Sequence, residues 1–251
     1  MKRLSFLVTI LGAALFAAPV SGSELRPDLG NIETTMQAAR ALEQKGDLAR
    51  FKDQLQIAIA DYQSAIRLDP HNTTLYNKLG IVQFKIGDHP AARKSFTTAI
   101  KLDPRNTMAM NNMGALAVVD KKYKAAVKDL KACLALDEGN ASAHLNIAEA
   151  WMGLKQTDRA MTEYSRALEL NPDIINPSET GVLAQVRTPE QQATIDFLIA
   201  RAYARRGNVD GALDFLQRAK TAHYPNMSQV YSSQEFAGMW TDPRLAKIVK
   251  P

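Results

Sequence analysis

Apolar positions return at a fixed interval through the middle of the chain. Leu79, Met113 and Ile147 are large and stand 34 residues apart. Phe96, Leu130 and Tyr164 do the same. Small residues recur in step with them: Gly80, Gly114 and Ala148, then Ala92, Ala126 and Ala160, then Ala99, Cys133 and Ala167. Three blocks carry this pattern with no gap, Thr73–Asn106, Thr107–Asn140 and Ala141–Ile174. In the first block Gly87-Asp88 breaks one helix from the next. Pro104 pushes its predecessor out of the helical region and stops the second helix. Equivalent positions in the later blocks hold Lys121-Lys122 and Lys155-Gln156, which are weaker turn signals, and Glu138 and Pro172.

A 34-residue helix–turn–helix period resembles the tetratricopeptide repeat family. The resemblance implies an all-α fold, a right-handed α-solenoid of about five repeats, and a binding role. With positions numbered 1–34 in each block, the small residues at 8, 20 and 27 let the two helices of a repeat approach closely. The larger ones at 7 and 24 fill the space between them. A degenerate first repeat is read from Ala58, Tyr62, Ala65 and Pro70 at positions 20, 24, 27 and 32. Its turn is assigned to Gly46-Asp47, seven residues early, or about two helical turns. That places helix A at roughly 31–45 and lengthens helix B at its start. Repeats one to four then span 31–174. Residues 175–192, with Asn176-Pro177, Gly181 and Thr188-Pro189, read as an inserted loop. A degenerate fifth repeat follows at 193–226. Residues 227–251, with Phe236, Met239, Trp240 and Leu245, are expected to be a C-terminal cap, because a terminal repeat leaves one apolar face uncovered.

The N-terminus changes the expected location. Lys2 and Arg3 precede an apolar run, Leu4–Ala18, and small residues follow at Ser21, Gly22 and Ser23. This reads as a secretory signal peptide over 1–23, too short for a comfortable membrane span. The chain is therefore expected to be exported, periplasmic or secreted, with no stable membrane insertion after cleavage. Loss of Lys2 and Arg3 lowers the net charge from +5 to +3. Charges of both signs are mixed along the helices, without the clustered basic stripe and stacking aromatics of a nucleic-acid-binding array. The lone cysteine, Cys133, cannot form an intrachain disulfide and replaces alanine at position 27.

Catalytic motifs are missing. The sequence holds no phosphate-binding Gly-rich loop, no Gly-x-Ser-x-Gly elbow, no His-Glu-x-x-His helix and no Cys-x-x-Cys pair. His71 and His89 flank one helix and lie on the order of 20 Å apart, too far to share a metal. No cofactor, no metal and no enzymatic activity are expected. Asn-x-Ser/Thr triplets at Asn72, Asn140 and Asn226 fall at turns, where Asn is favoured for turn formation and capping.

In tetratricopeptide repeats, helix A lines a concave groove, mainly through positions 2, 5, 9, 12 and 13. Carried onto this chain, the resemblance implies a partner-binding groove of Asn77, Ile81, Phe84, Met108, Asn111, Val118, Leu145, Glu149, Met152, Phe197 and Arg201. Phe84, Met108, Val118 and Met152 offer apolar contact, and Asn77 and Asn111 could bond a peptide backbone. The carboxylate-clamp pattern of some relatives, a basic residue at 5 with Asn at 9, is missing: those pairs are Asn77/Ile81, Asn111/Ala115 and Leu145/Glu149. The resemblance thus implies a protein or extended-peptide partner and a non-catalytic adaptor or assembly factor of the cell envelope. Two alternatives stay open: a self-assembling structural envelope protein, and an accessory ligand-binding or enzymatic protein with the 175–192 insertion as a lid. Glu179, Arg187 and Glu190 are the polar groups such a lid would offer.

Overall fold

The structure is a computed structural model that describes residues 29–171, 173–174 and 189–249. Every described element is helical. Pairs of antiparallel helices follow one another: α1 (Leu29–Phe51) with α2 (Leu55–Leu68), α3 (Thr73–Lys85) with α4 (His89–Leu102), α5 (Thr107–Val119) with α6 (Tyr123–Leu136), α7 (Ala141–Gly153) with α8 (Thr157–Leu170), and α9 (Pro189–Arg205) with α10 (Val209–Thr221). Two 3-10 helices, Met227–Tyr231 and Gln234–Met239, and a short α11 (Pro243–Val249) complete the chain. Among the described residues no helix is long and apolar enough to cross a membrane. The proposed signal peptide, Pro172 and residues 175–188 with Glu179 and Arg187 lie outside the described residues.

The repeat is written into both ends of each pair. Asn72, Asn106 and Asn140 close each 34-residue unit, and each side chain accepts the N–H three residues on, capping α3, α5 and α7. This satisfies one of the orphan donors of a helix start. At the other end, the residue at position 15 takes a left-handed conformation in all five units: Asp53, Gly87, Lys121, Lys155 and Gly207, with φ between 58° and 82°. The Lys-Lys and Lys-Gln turns therefore bend as the Gly-Asp turn does. Helix B stops where Asp69, Asp103 or Asp137 leaves the helical region, with φ between −133° and −148°, whether or not proline follows.

The first repeat departs from its sequence expectation. Helix α1 runs straight through Gly46-Asp47 and turns only at Lys52-Asp53, in register with every other unit. The added length lies at the start of helix A, and helix B begins at its ordinary place. Gly46 is not a turn glycine: it is the small residue of position 8. A methyl group there would come within 2.6 Å of the Tyr62 ring, as one on Gly80 would come within 2.5 Å of the Phe96 ring. The fifth unit also differs at its start. Helix α9 begins at Pro189, so residues 189–192, expected as loop, are its first turn.

Buried side chains form one long core and two small ones. The long core runs from Ala117 through α10 and into residues 227–249, where Phe236 and Leu245 have no exposed surface. A second core gathers Ala49, Ala58, Tyr62, Ala65, Leu75, Leu79 and Val82. The third holds Phe84, Ala92, Phe96 and Leu116. Successive A helices touch (α3 with α5, α5 with α7), and successive B helices do so less. The A helices therefore form the inner layer of the curve.

Candidate functional site

The inner face is built by helices α3, α5, α7 and α9, and along α3, α5 and α7 the 34-residue period brings equivalent positions side by side. A regular set of bonds links them. The Asn112 amide donates to Asn77 Oδ1 at 2.9 Å, and Asn146 donates to Asn111 Oδ1 at 2.9 Å. One unit earlier, Lys78 reaches Glu43 Oε1 and Asp47 Oδ2, each at 2.6 Å. In every unit position 6 of one repeat donates to position 5 of the repeat before it, and Lys78 reaches position 9 as well. Asn77 and Asn111, expected to hold a peptide backbone, use their carbonyl oxygens between repeats instead.

A second bond works within a repeat. The Tyr62 hydroxyl donates to Asp47 Oδ1 and the Tyr164 hydroxyl to Glu149 Oε1, both at 2.7 Å. Each joins position 24 to position 9. Where position 24 is Phe96 or Leu130, position 9 is Ile81 or Ala115. Burial and the hydrogen bond to Asp47 raise the Tyr62 hydroxyl above its usual range. Burial acts to raise the Asp47 carboxyl, but the bonds from Lys78 and Tyr62 outweigh it and hold the group below its ordinary value.

The groove residues expected from the sequence divide by burial. Phe84 is 8% exposed and packs in the small core with Ala92, Phe96 and Leu116. Val118, Leu145, Glu149 and Phe197 are likewise buried. Phe197 stacks on Tyr224 with ring centroids 4.4 Å apart and lies against Phe236 at 5.8 Å. Ile81 and Met152 are half-buried. Arg201 is tied to Glu235 by a 2.6 Å ion pair that fastens α9 to the second 3-10 helix. Met108, on the first turn of α5, is 57% exposed. Of the expected set it is the large apolar side chain most open to solvent. The structure thus turns much of the predicted apolar groove into inter-helix packing.

Sequence reasoning missed the position-6 donors Lys78, Asn112 and Asn146. The signal was present as an amide at position 5 of one block and position 6 of the next for the two asparagine pairs, and as opposite charges, Glu43 and Lys78, for the first. It also gave His89 no partner. His89 Nδ1 lies 2.8 Å from Asp120 Oδ1, Arg93 pairs with the other carboxylate oxygen, and Lys122 stands 3.6 Å away. A hollow of about 440 Å³ opens over these groups. Burial raises the Asp120 carboxyl, but the His89 and Arg93 bonds prevail and its pKa lies below the usual value. His144 Nδ1 meets Glu163 Oε2 at 2.7 Å. Cys133 is fully buried, and that burial pushes its thiol up to about 11. Among the described residues no cluster of three His, Cys, Asp or Glu side chains is arranged to hold a metal ion.

Comparison with known proteins agrees with this architecture. Profiles described as tetratricopeptide repeat match residues 118–177 and residues 77–142 and 182–227, and a TPR repeat profile matches 46–87. No protein of curated function matches the chain significantly in sequence. Similar solved structures include TTC0263, a thermophilic TPR protein of Thermus thermophilus. It is 17% identical with a TM-score of 0.54, over 80% of this chain and 98% of that one. MamA from Desulfovibrio magneticus is 18% identical with a TM-score of 0.52, over 74% and 95%. YrrB, described as a TPR protein with an unusual peptide-binding site, is 20% identical with a TM-score of 0.50, over 81% and 96%.

Proposed function

We propose that this chain, which belongs to the tetratricopeptide repeat family, is a non-catalytic adaptor that binds another protein or an extended peptide along its inner face. The observation that carries this reading is Met108. It is a large, flexible, apolar side chain, exposed at a groove position of the central repeat. Its counterparts Thr74 and Ser142 on the neighbouring repeats are smaller. Methionine suits a surface that adapts to its partner, and a few such anchors dominate most interfaces. Ile81 and Met152, half-buried on the neighbouring helices α3 and α7, extend the contact. Phe84, Val118, Leu145 and Phe197 support the face from within. The signal-peptide reading of residues 1–23 favours a partner in the cell envelope.

The test is a pull-down from envelope extract with the wild-type protein and with Met108→Ala/Met152→Ala. The double variant should lose the partner while its melting temperature falls only slightly, because Met108 is exposed and Met152 half so. Retention of the partner by the folded variant would move the site away from the inner face.

A further inference from the structure

We infer that the outward face of α1 is where two copies of this chain pair with each other. The register of the repeats exposes this face. Position 10 of a helix A packs against the repeat that precedes it. In the four later units it is Val82, Leu116, Ala150 and Ala202, all without exposed surface. The first unit has no predecessor. Its position 10 is Leu48, 53% exposed, and one turn further Phe51 is 89% exposed. Terminal repeats normally turn a polar face outward to keep the array soluble, and this one does not.

The rest of the stripe has the form of a helix-pairing seam. Gln37, Ala41, Gln44, Leu48 and Phe51 follow one another at spacings of four, three, four and three. All are exposed and none is charged. That spacing keeps them in one line along a helix and is the spacing by which two helices pack side by side. Charges of both signs flank the line, among them Glu33 and Lys45, so a copy of the same helix is electrostatically acceptable. From Gln37 to Phe51 the line is about 21 Å long.

Other occupants from within the chain fit poorly. If the signal peptide ends at Ser23, five residues remain before Leu29, and they span at most ~18 Å. Leu48 lies about 28 Å along the helix from Leu29. A head-to-tail copy would need an uncovered helix at the opposite end. That end is covered by the chain's own residues 227–249, with Phe236 and Leu245 buried against α9 and α10. With the opposite end covered among the described residues, the seam pairs with its own copy, which gives a closed two-fold dimer.

Size exclusion with light scattering, from low to high micromolar protein, tests this. The chain should read as a dimer whose fraction rises with concentration. Leu48→Glu/Phe51→Glu should read as a monomer with an unchanged helical circular dichroism spectrum. Phe51→Glu alone, at a side chain too exposed to affect folding, should raise the dissociation constant at least tenfold. A monomer at every concentration overturns the proposal. So does a dimer that Phe51→Glu leaves intact, which would put the interface elsewhere. A chain that is monomeric with residues 1–28 and dimeric without them assigns the face to the chain's own leading segment, and overturns it as well.

Discussion

The two ends of the array hold successive repeats together by different means. Between the early repeats the inner helices are joined by polar side chains: Lys78 to Glu43 and Asp47, Asn112 to Asn77, Asn146 to Asn111. Beyond them the pair of positions becomes Leu145 and Leu198, both buried in the long core that continues into the cap. A net hydrogen bond contributes about 1 kcal/mol, whereas a fully buried large apolar side chain contributes about 1.5–3 kcal/mol. In a quasi-one-dimensional array each repeat leans only on its neighbours. The amino-terminal repeats, with two small cores, therefore open before the carboxy-terminal ones, which share a single core.

The sharpest way to break that difference is to remove a keystone of the long core. Phe236→Ala should cost about 3–5 kcal/mol, read by urea denaturation. A loss below about 1 kcal/mol would mean that residues 227–249 merely rest on the array. A smaller change separates the two ends. Gly80→Ala forces a methyl against the Phe96 ring and should cost about 1–3 kcal/mol. Both tryptophans, Trp151 and Trp240, lie in the carboxy-terminal part. The Gly80→Ala melt should therefore shift more by circular dichroism than by tryptophan fluorescence. Equal shifts would show the array to be one cooperative unit.

Acid should loosen the fastening of the cap. Burial acts to raise the Glu235 carboxyl, but its own backbone N–H and the Arg201 guanidinium hold it below its ordinary value of 4.5. A depressed carboxylate contributes stability above its unfolded pKa and loses it as pH falls through the folded one. The Trp240 signal should thus become less stable as pH drops below 4.5, and Glu235→Gln should flatten that dependence. The smallest effect is a gain. Lys121 holds a left-handed φ of 59°, and Lys121→Gly should stabilise by up to about 1 kcal/mol. A loss would mean that its side chain is needed at the turn.

The fold was legible because its signal is periodic. Each block repeats the same small and large residues, so an error in one block does not propagate to the next. Sequence alone points to Gly46-Asp47 as the first turn because glycine serves both close packing and turns, and the pattern does not say which. The true turn uses Lys52-Asp53, and the left-handed bend carries no glycine there. The inner face was less legible for a related reason. Its positions are chosen by the family's geometry, but whether a side chain there is free depends on the neighbouring repeat. Asn77 and Asn111 look like ligand donors until Asn112 and Asn146 are placed beside them. Glu149 looks like a groove charge until the Tyr164 hydroxyl reaches it. Met108 is exposed, and its counterparts at position 2, Thr74 and Ser142, are smaller.

The connection from α8, which ends at Leu170, to α9, which starts at Pro189, is far longer than the one from Leu102 to Thr107 between α4 and α5. Yet the long core crosses it unbroken. The covalent connection is therefore not what orders the fourth repeat against the fifth. Severed there, the chain would be two polypeptides carrying complementary halves of one apolar surface. They should find each other again as fragments of a split protein do. The backbone at this junction acts as a tether that sets local concentration, while the surfaces themselves encode the fit.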